Sequence, residues 1–173
     1  MKNYLLYLLV LVGTSVVAQT KVSEILYEIS EAPSAERIEK DINKLVDFGT
    51  RHTLSDTVSE TRGIGAARRW IKSEFDRISE ACEGCLDVQY QSTLEPKNDR
   101  RIVKDTYIVN VMAIQRGTVY PDSYVIMSGD IDSRVSDPNN FTDDSPGAND
   151  HASGMAGTSE AARIVANKTY PVS

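Results

Sequence analysis

Cysteine is scarce in this sequence, with two in 173 residues. That excludes a disulfide-dense mini-protein. With no second cysteine pair, a four-cysteine zinc site cannot form within this chain. Beyond the N-terminus no apolar run approaches the ~18 residues that span a bilayer, so no internal transmembrane helix is expected. Positive charge is not in excess. Lys and Arg number 19 against 25 Asp and Glu, a formal charge of −6, and this balance weighs against nonspecific nucleic-acid binding. There is no internal repeat and no low-complexity tract. A composition 40% hydrophobic and 25% charged excludes collagen and a wholly disordered chain. The length suits one domain with a core of its own.

What is present begins with a targeting pattern. Lys2 precedes the apolar residues Leu5 to Val12, and Val16-Val17-Ala18 places small residues before Gln19. This is the pattern of a cleavable secretory signal over residues 1–18, followed by a domain over 19–173. It implies a secreted or periplasmic protein with no integral membrane segment after cleavage. Export also bears on Cys82-Glu83-Gly84-Cys85. In the cytosol that spacing suits redox chemistry or half a zinc site. Outside it, a local disulfide is expected, fixing a turn between a helix and a strand.

Periodicity supplies the elements. Residues 22–29 are weakly helical. Ser34 is an N-cap candidate for a helix carrying Ile38, Ile42, Leu45 and Val46 at helical spacing and ended by Gly49. A longer helix is expected over 60–79, with Ile64, Ala67, Ile71, Phe75 and Ile78 on one face and Arg68, Arg69, Lys72 and Asp76 in solvent. The period then changes to two. Leu86, Val88 and Tyr90 alternate with polar residues, and 106–114 is a second strand. Tyr124-Val125-Ile126-Met127 reads as a strand covered on both faces. A polar loop over 133–146 leads to a last helix over 152–166. The order indicates an α/β fold with a mixed central sheet flanked by helices. In open α/β sheets, sites form beyond the carboxyl ends of strands, and here the aspartates begin at that point.

Residues 122–150 hold seven Asp, no Glu and one base, Arg134. In Ser128-Gly129-Asp130-Ile131-Asp132-Ser133, extended backbone would point Asp130 and Asp132 to the same side. Two neighbouring carboxylates repel unless a cation or a proton relieves them. A divalent metal is one solution. Turn capping by both aspartates is the other. In Ser145-Pro146-Gly147-Ala148-Asn149-Asp150-His151-Ala152-Ser153-Gly154, Pro-Gly forces a turn and Asp150 stands just before a helix. Its simple role there is N-cap, and its functional role would be a carboxylate metal ligand. His151 is a ligand by type, or otherwise a histidine at the surface or behind the ligands.

Together the runs Gly129-Asp130-Ile131-Asp132-Ser133 and Pro146-Gly147-Ala148-Asn149-Asp150-His151-Ala152-Ser153-Gly154 resemble the secreted zinc aminopeptidases of peptidase family M28. Phe48-Gly49-Thr50-Arg51-His52 and Thr61-Arg62-Gly63 also resemble the N-terminal part of secreted members. The resemblance covers about residues 45–166. It implies the phosphorylase/hydrolase-like zinc exopeptidase fold and a site of two zinc ions sharing a water that attacks a peptide carbonyl. By position, Asp130 and Asp150 would be metal ligands, with Asp150 bridging the ions, and Asp132 would be the catalytic aspartate that orients its neighbouring ligand. Peptides would be the substrate, losing their N-terminal residues.

Two departures qualify the expectation. Asp130 stands where the family has its first histidine ligand, which makes the first site harder and leaves its metal identity open. The family's Glu-Glu pair and its later Asp and His ligands have no counterpart here, and Glu160 is not the matching glutamate. The resemblance therefore implies the N-terminal portion of such a domain, its C-terminal half missing, and inactive alone. Alternatives are a noncatalytic secreted binding module of the same fold, a glutaminyl-cyclase-like acyltransferase, or calcium binding by Asp137, Asp143 and Asp144. The sequons at Asn140 and Asn167 are acceptors if the source glycosylates secreted proteins.

Overall fold

A computed structural model describes residues 24–98 and 100–173. The segment read as a signal lies outside the described residues. The chain divides after Ala32 into two units. The first contributes helix α1, Glu24–Glu31, none of whose residues is buried.

The second unit begins with α2, Ala35–Val46. Ser34 adopts an extended backbone and its Oγ accepts from Arg37 N at 3.2 Å, the N-cap geometry that satisfies a free helix N–H. Lys44 lies in the last turn, where it complements the helix dipole. Helix α3 follows over Gly63–Ala81. Its expected apolar face is present, with Ile64, Ala67, Ile71, Phe75 and Ile78 all buried. Of these, Ala67, Ile71, Phe75 and Ile78 pack with Leu45, Phe48, Ala66 and Met155 in a cluster that also takes in Ala152 and Ala166.

One residue of α3 departs from expectation. The sequence places Arg68 on the solvent face, and in the structure it is 8% exposed. It stands four residues after Ile64 and three before Ile71, on the line of the apolar stripe. Burial pushes its guanidinium pKa down, opposed by Tyr90.

Cys82 and Cys85 form the expected disulfide. Between them Glu83 and Gly84 take left-handed backbone, and the turn leads from α3 into β1, Asp87–Glu95. β1 pairs antiparallel with β2, Thr106–Ile114, in a register running from Asp87 opposite Ile114 to Glu95 opposite Thr106. Leu86, Val88, Val111 and Ala113 rest against the core. The last helix, α4, covers Ser153–Val165.

The sheet is smaller than expected, with two strands among the described residues rather than a mixed central sheet. The run at 124–127 is not a covered strand. Val125 and Ile126 are 78% and 85% exposed. Residues 118–125 instead meet the C-terminal segment through a few backbone bonds, among them Val125 N to Ser173 O and Ser173 N to Ser123 O, both 2.8 Å. An apolar run is suited to burial, but burial also needs strands beside it and a layer over it.

A charge network joins α2, α3 and α4. Arg163 donates to Asp41 at 2.7 Å, to Glu74 at 3.1 Å and to Glu160 at 3.5 Å. Glu160, almost wholly buried, also accepts from Arg37 Nη2 at 2.5 Å and from Ser34 N at 2.8 Å. The hydrogen bond from Arg37 is the main cause that holds its carboxyl below the usual range. No described helix is long and apolar enough to cross a membrane.

Candidate metal centre

Three segments meet where the aspartates lie, and a buried arginine fastens them. Arg51 is fully buried. Its Nη1 donates to the carbonyls of Leu45 and Pro146, each at 2.7 Å, its Nε to Ile131 O at 2.9 Å, and its Nη2 to Gly147 O at 3.0 Å. Ser133 completes the junction: its Oγ accepts from Arg51 N at 3.0 Å and donates to Ser145 O at 2.6 Å. Ser145 N in turn donates to Gly49 O at 2.9 Å. The end of α2, the run after Gly129 and the Pro146-Gly147 turn are thereby held in one place.

Two glycines permit this. At Gly129 a Cβ would come within 2.8 Å of Gly154 O and Met155 Cα, so the extended run passes directly against the start of α4. Gly147 has φ +51°, and a Cβ there would lie 2.5 Å from Asp150 O and 2.6 Å from Ser133 Cβ. Neither position has room for a side chain.

The chain then makes a wound turn over Ala148–Ala152 before α4. Asp150 (φ −121°, ψ 89°) and His151 (φ −128°, ψ 27°) leave helical geometry inside it, and the peptide between them is cis. Asp150 is not the N-cap of α4, because the helix starts with no side-chain cap. Its Oδ1 lies instead 2.5 Å from His151 Nε2, while Asp130 Oδ2 lies 3.4 Å from His151 Nδ1. Asp130 and Asp150, far apart in sequence, thus face one imidazole. Asp132 is half-buried on the other side of Ile131 and acts on Arg51: burial lowers the guanidinium pKa, and the Asp132 charge opposes the shift.

The remaining aspartates of the loop are used locally. Asp137 accepts from Asn139 N at 2.9 Å, Asp143 from Asn140 at 2.8 Å, and Asp144 pairs with Arg62 at 2.6 Å. His52 is also committed. Leu54 N donates to its Nδ1 at 3.0 Å, which leaves Nε2 as the donor to Pro138 O at 3.1 Å. A charged cavity of about 750 Å³ beside α2 and Trp70 has none of the three key aspartates in its lining. Arg51 and Ser133 are the residues whose positioning roles sequence reasoning does not assign. Their sequence signs are the runs around 48–52 and 129–133 in which they stand, and the crowding of glycine and serine around residues 128–154.

Residues 110–172 match peptidase family M28, a span that contains Asp130, Asp132, Asp150 and α4. Over those residues the chain is similar to the family, and its likeness to curated relatives extends over most of its length. A probable zinc metalloprotease of Leptosphaeria maculans is 49% identical over 138 residues, which is 80% of this chain and 32% of that relative. A probable zinc metalloprotease of Pyrenophora teres f. teres is 42% identical over 83% of this chain and 31% of its own length. One of Pyricularia oryzae is 41% identical over 91% of this chain, again 31% of its own length. The chain spans about a third of the length of these curated relatives.

The relatives' names imply zinc, and the side chains can be tested against it. Carboxylate oxygen and imidazole nitrogen are suitable donors. Their arrangement is not suitable. Each carboxylate faces a different ring nitrogen, and the two nitrogens point away from each other, so the donors form a row instead of converging. Among the described residues no group of three or more His, Cys, Asp or Glu side chains is placed to hold an ion. The donor set as arranged does not fit a bound zinc.

Proposed function

We propose that this chain is part of a secreted zinc-dependent aminopeptidase that removes N-terminal residues from peptides. The observation that carries the reading is the match of residues 110–172, a span that holds Asp130, Asp132 and Asp150, to peptidase family M28. In this reading Asp130 and Asp150 are the metal carboxylates. Asp132 is a positioning residue, its charge set against the Arg51 guanidinium that fixes both metal-bearing segments. The formed Cys82–Cys85 disulfide supports an oxidising compartment. Among the described residues the donors do not converge, which supports the expectation that the chain by itself leaves aminoacyl substrates intact.

The test has two arms. The chain alone, supplied with zinc, is expected to leave an aminoacyl reporter intact. Turnover abolished by Asp150→Ala would overturn that statement. The chain grafted in place of the matching third of the Leptosphaeria relative is expected to release free amino acids, and Asp150→Ala should lower that rate about 100-fold or more. A folded graft that cleaves internal peptide bonds only, or that ignores Asp150→Ala, would overturn the aminopeptidase reading. A folded graft inactive where the parent relative is active would favour the second reading, a noncatalytic module. The row-like donor arrangement is the observation behind that alternative.

A further inference from the structure

We infer that Asn167 carries an N-linked oligosaccharide in the folded chain and that Asn140, the other sequon asparagine, does not. The inference rests on the export reading, because N-linked transfer takes place on the secretory route. It is independent of the metal reading.

Asn140-Phe141-Thr142 and Asn167-Lys168-Thr169 are equivalent as sequence. The fold separates them. Asn140 is half-buried and is the hub of its loop. Its Oδ1 accepts from Thr142 N at 3.2 Å, from Thr142 Oγ1 at 3.3 Å and from Asp143 N at 3.1 Å, and its Nδ2 donates to Asp143 Oδ2 at 2.8 Å. The other two residues of this sequon are anchored as well. Phe141 lies against the His52 ring with centroids 6.1 Å apart, and Thr142 O accepts from Arg62 Nη2 at 2.8 Å. A sugar on Asn140 Nδ2 would intrude on a turn whose bonds are already complete.

Asn167 is placed the other way. Helix α4 ends at Val165, and Asn167 stands exposed in the turn beyond it, with Thr169 exposed too. Among the described residues its side chain makes no hydrogen bond. The backbone on either side is pinned. Gln115 Nε2 donates to Ala166 O at 3.2 Å and to Lys168 O at 2.6 Å, and Lys168 N donates to Val165 O at 3.0 Å. The asparagine is thus held in solvent on a fixed base. Asp150 precedes α4 and Asn167 follows it, so the length of the helix sets them about 20 Å apart. A bulky polar group at Asn167 therefore leaves the aspartate end open.

The modification is a glycosyl transfer. Asn167 Nδ2 bonds to the anomeric carbon of an oligosaccharide delivered on a lipid pyrophosphate. The bond from that carbon to the pyrophosphate oxygen breaks, the lipid pyrophosphate leaves, and Nδ2 gives up one proton. Nothing is oxidised or reduced.

The experiment produces the full chain in a eukaryotic host, once with its own N-terminus and once behind the signal peptide of a known secreted protein. Peptide N-glycosidase converts each glycan-bearing asparagine to aspartate, and mass spectrometry of peptides digested in heavy-oxygen water locates the conversion. Circular dichroism confirms the fold. Digestion is expected to remove a single step of gel mobility, with conversion at position 167 and none at position 140. Asn167→Gln should abolish that step. Thr169→Ala should abolish it as well while leaving the asparagine in place, and it carries the test should the glutamine variant not fold. Asn140→Gln should leave the step unchanged. Chain recovered from the medium or from the secretory compartment with Asn167 unmodified overturns the inference, and so does folded chain with a glycan on Asn140. If the form with its own N-terminus stays unmodified in the cytosol while the second form is modified at Asn167, the export reading is overturned and the choice between the two sequons stands.

Discussion

Arg51 has been taken out of water completely, and its guanidinium is satisfied by carbonyls instead of a paired acid: Leu45, Ile131, Pro146 and Gly147 each accept from it. Burial alone would disfavour its charge, and this is the main cause lowering its pKa. An arginine remains charged nonetheless, since its reference value is so high. Its planar fork reaches several acceptors at once, which a lysine ammonium on a flexible stem cannot reproduce. Arg51→Met takes the donor from four carbonyls and should therefore cost about 3 kcal/mol or more, at roughly 1–3 kcal/mol for each acceptor left unsatisfied, and Arg51→Lys should recover little of it. Urea denaturation measures both. A loss below about 1 kcal/mol, the size of an ordinary single hydrogen bond, would show that the junction is held by something else. None of this was legible in the sequence. Arginine is ordinarily exposed, and backbone carbonyls carry no residue signature. The aspartates were legible because their chemistry is in their side chains. Their mutual placement was not, because it depends on Gly129 and Gly147 letting distant backbones touch.

The helices were easier to read. Ser34 caps α2 as its sequence position suggested, and the apolar stripe of α3 is buried as spaced. Arg68 misled because a charge on an apolar stripe is normally turned outward, while a long side chain can also lie along the core. The contacts between helices are less visible, and Glu160 shows why. A glutamate in the middle of α4 reads as a solvated residue, yet it accepts from Arg37 and Ser34 at the start of α2 and from Arg163 on its own helix. The Arg37 bond, first among the causes, lowers its pKa in the folded chain. A carboxyl with a depressed folded-state pKa contributes stability that is fully present above the unfolded value, about 4.3 for glutamate, and is lost as pH falls through the folded value. The unaltered chain should thus lose stability on acidification more steeply than Glu160→Gln, which has no such proton to take up. Urea midpoints followed from pH 7 downward should show the gap between the two narrowing below about pH 4.3. Parallel curves would mean that Glu160 holds α2 and α4 together by packing and not by charge.

At the scale of the whole molecule, the unmet expectation at 124–127 becomes informative. Four consecutive apolar residues with no polar interruption are suited to a strand covered on both faces, yet all four are more than half exposed. Nearby Val119 and Tyr120 are exposed as well. The local pattern reports what a segment can bury; it is silent on whether neighbours exist to bury it, and for that reason the sheet was overestimated while β1 and β2, which pair with each other, were not. The physical consequence is a liability. A run of exposed apolar side chains associates with other surfaces. The chain should therefore self-associate as its concentration rises. Lysine placed in such a run is a natural safeguard against edge pairing, so Ile126→Lys combined with Val125→Lys should hold the chain monomeric over the same range. Both side chains already lie in solvent, so the substitutions remove little from the core and the fold should be retained by circular dichroism. Sedimentation velocity distinguishes the outcomes. If the unaltered chain sediments as a monomer throughout, or if the double lysine variant associates equally, the exposed run is not the associating surface.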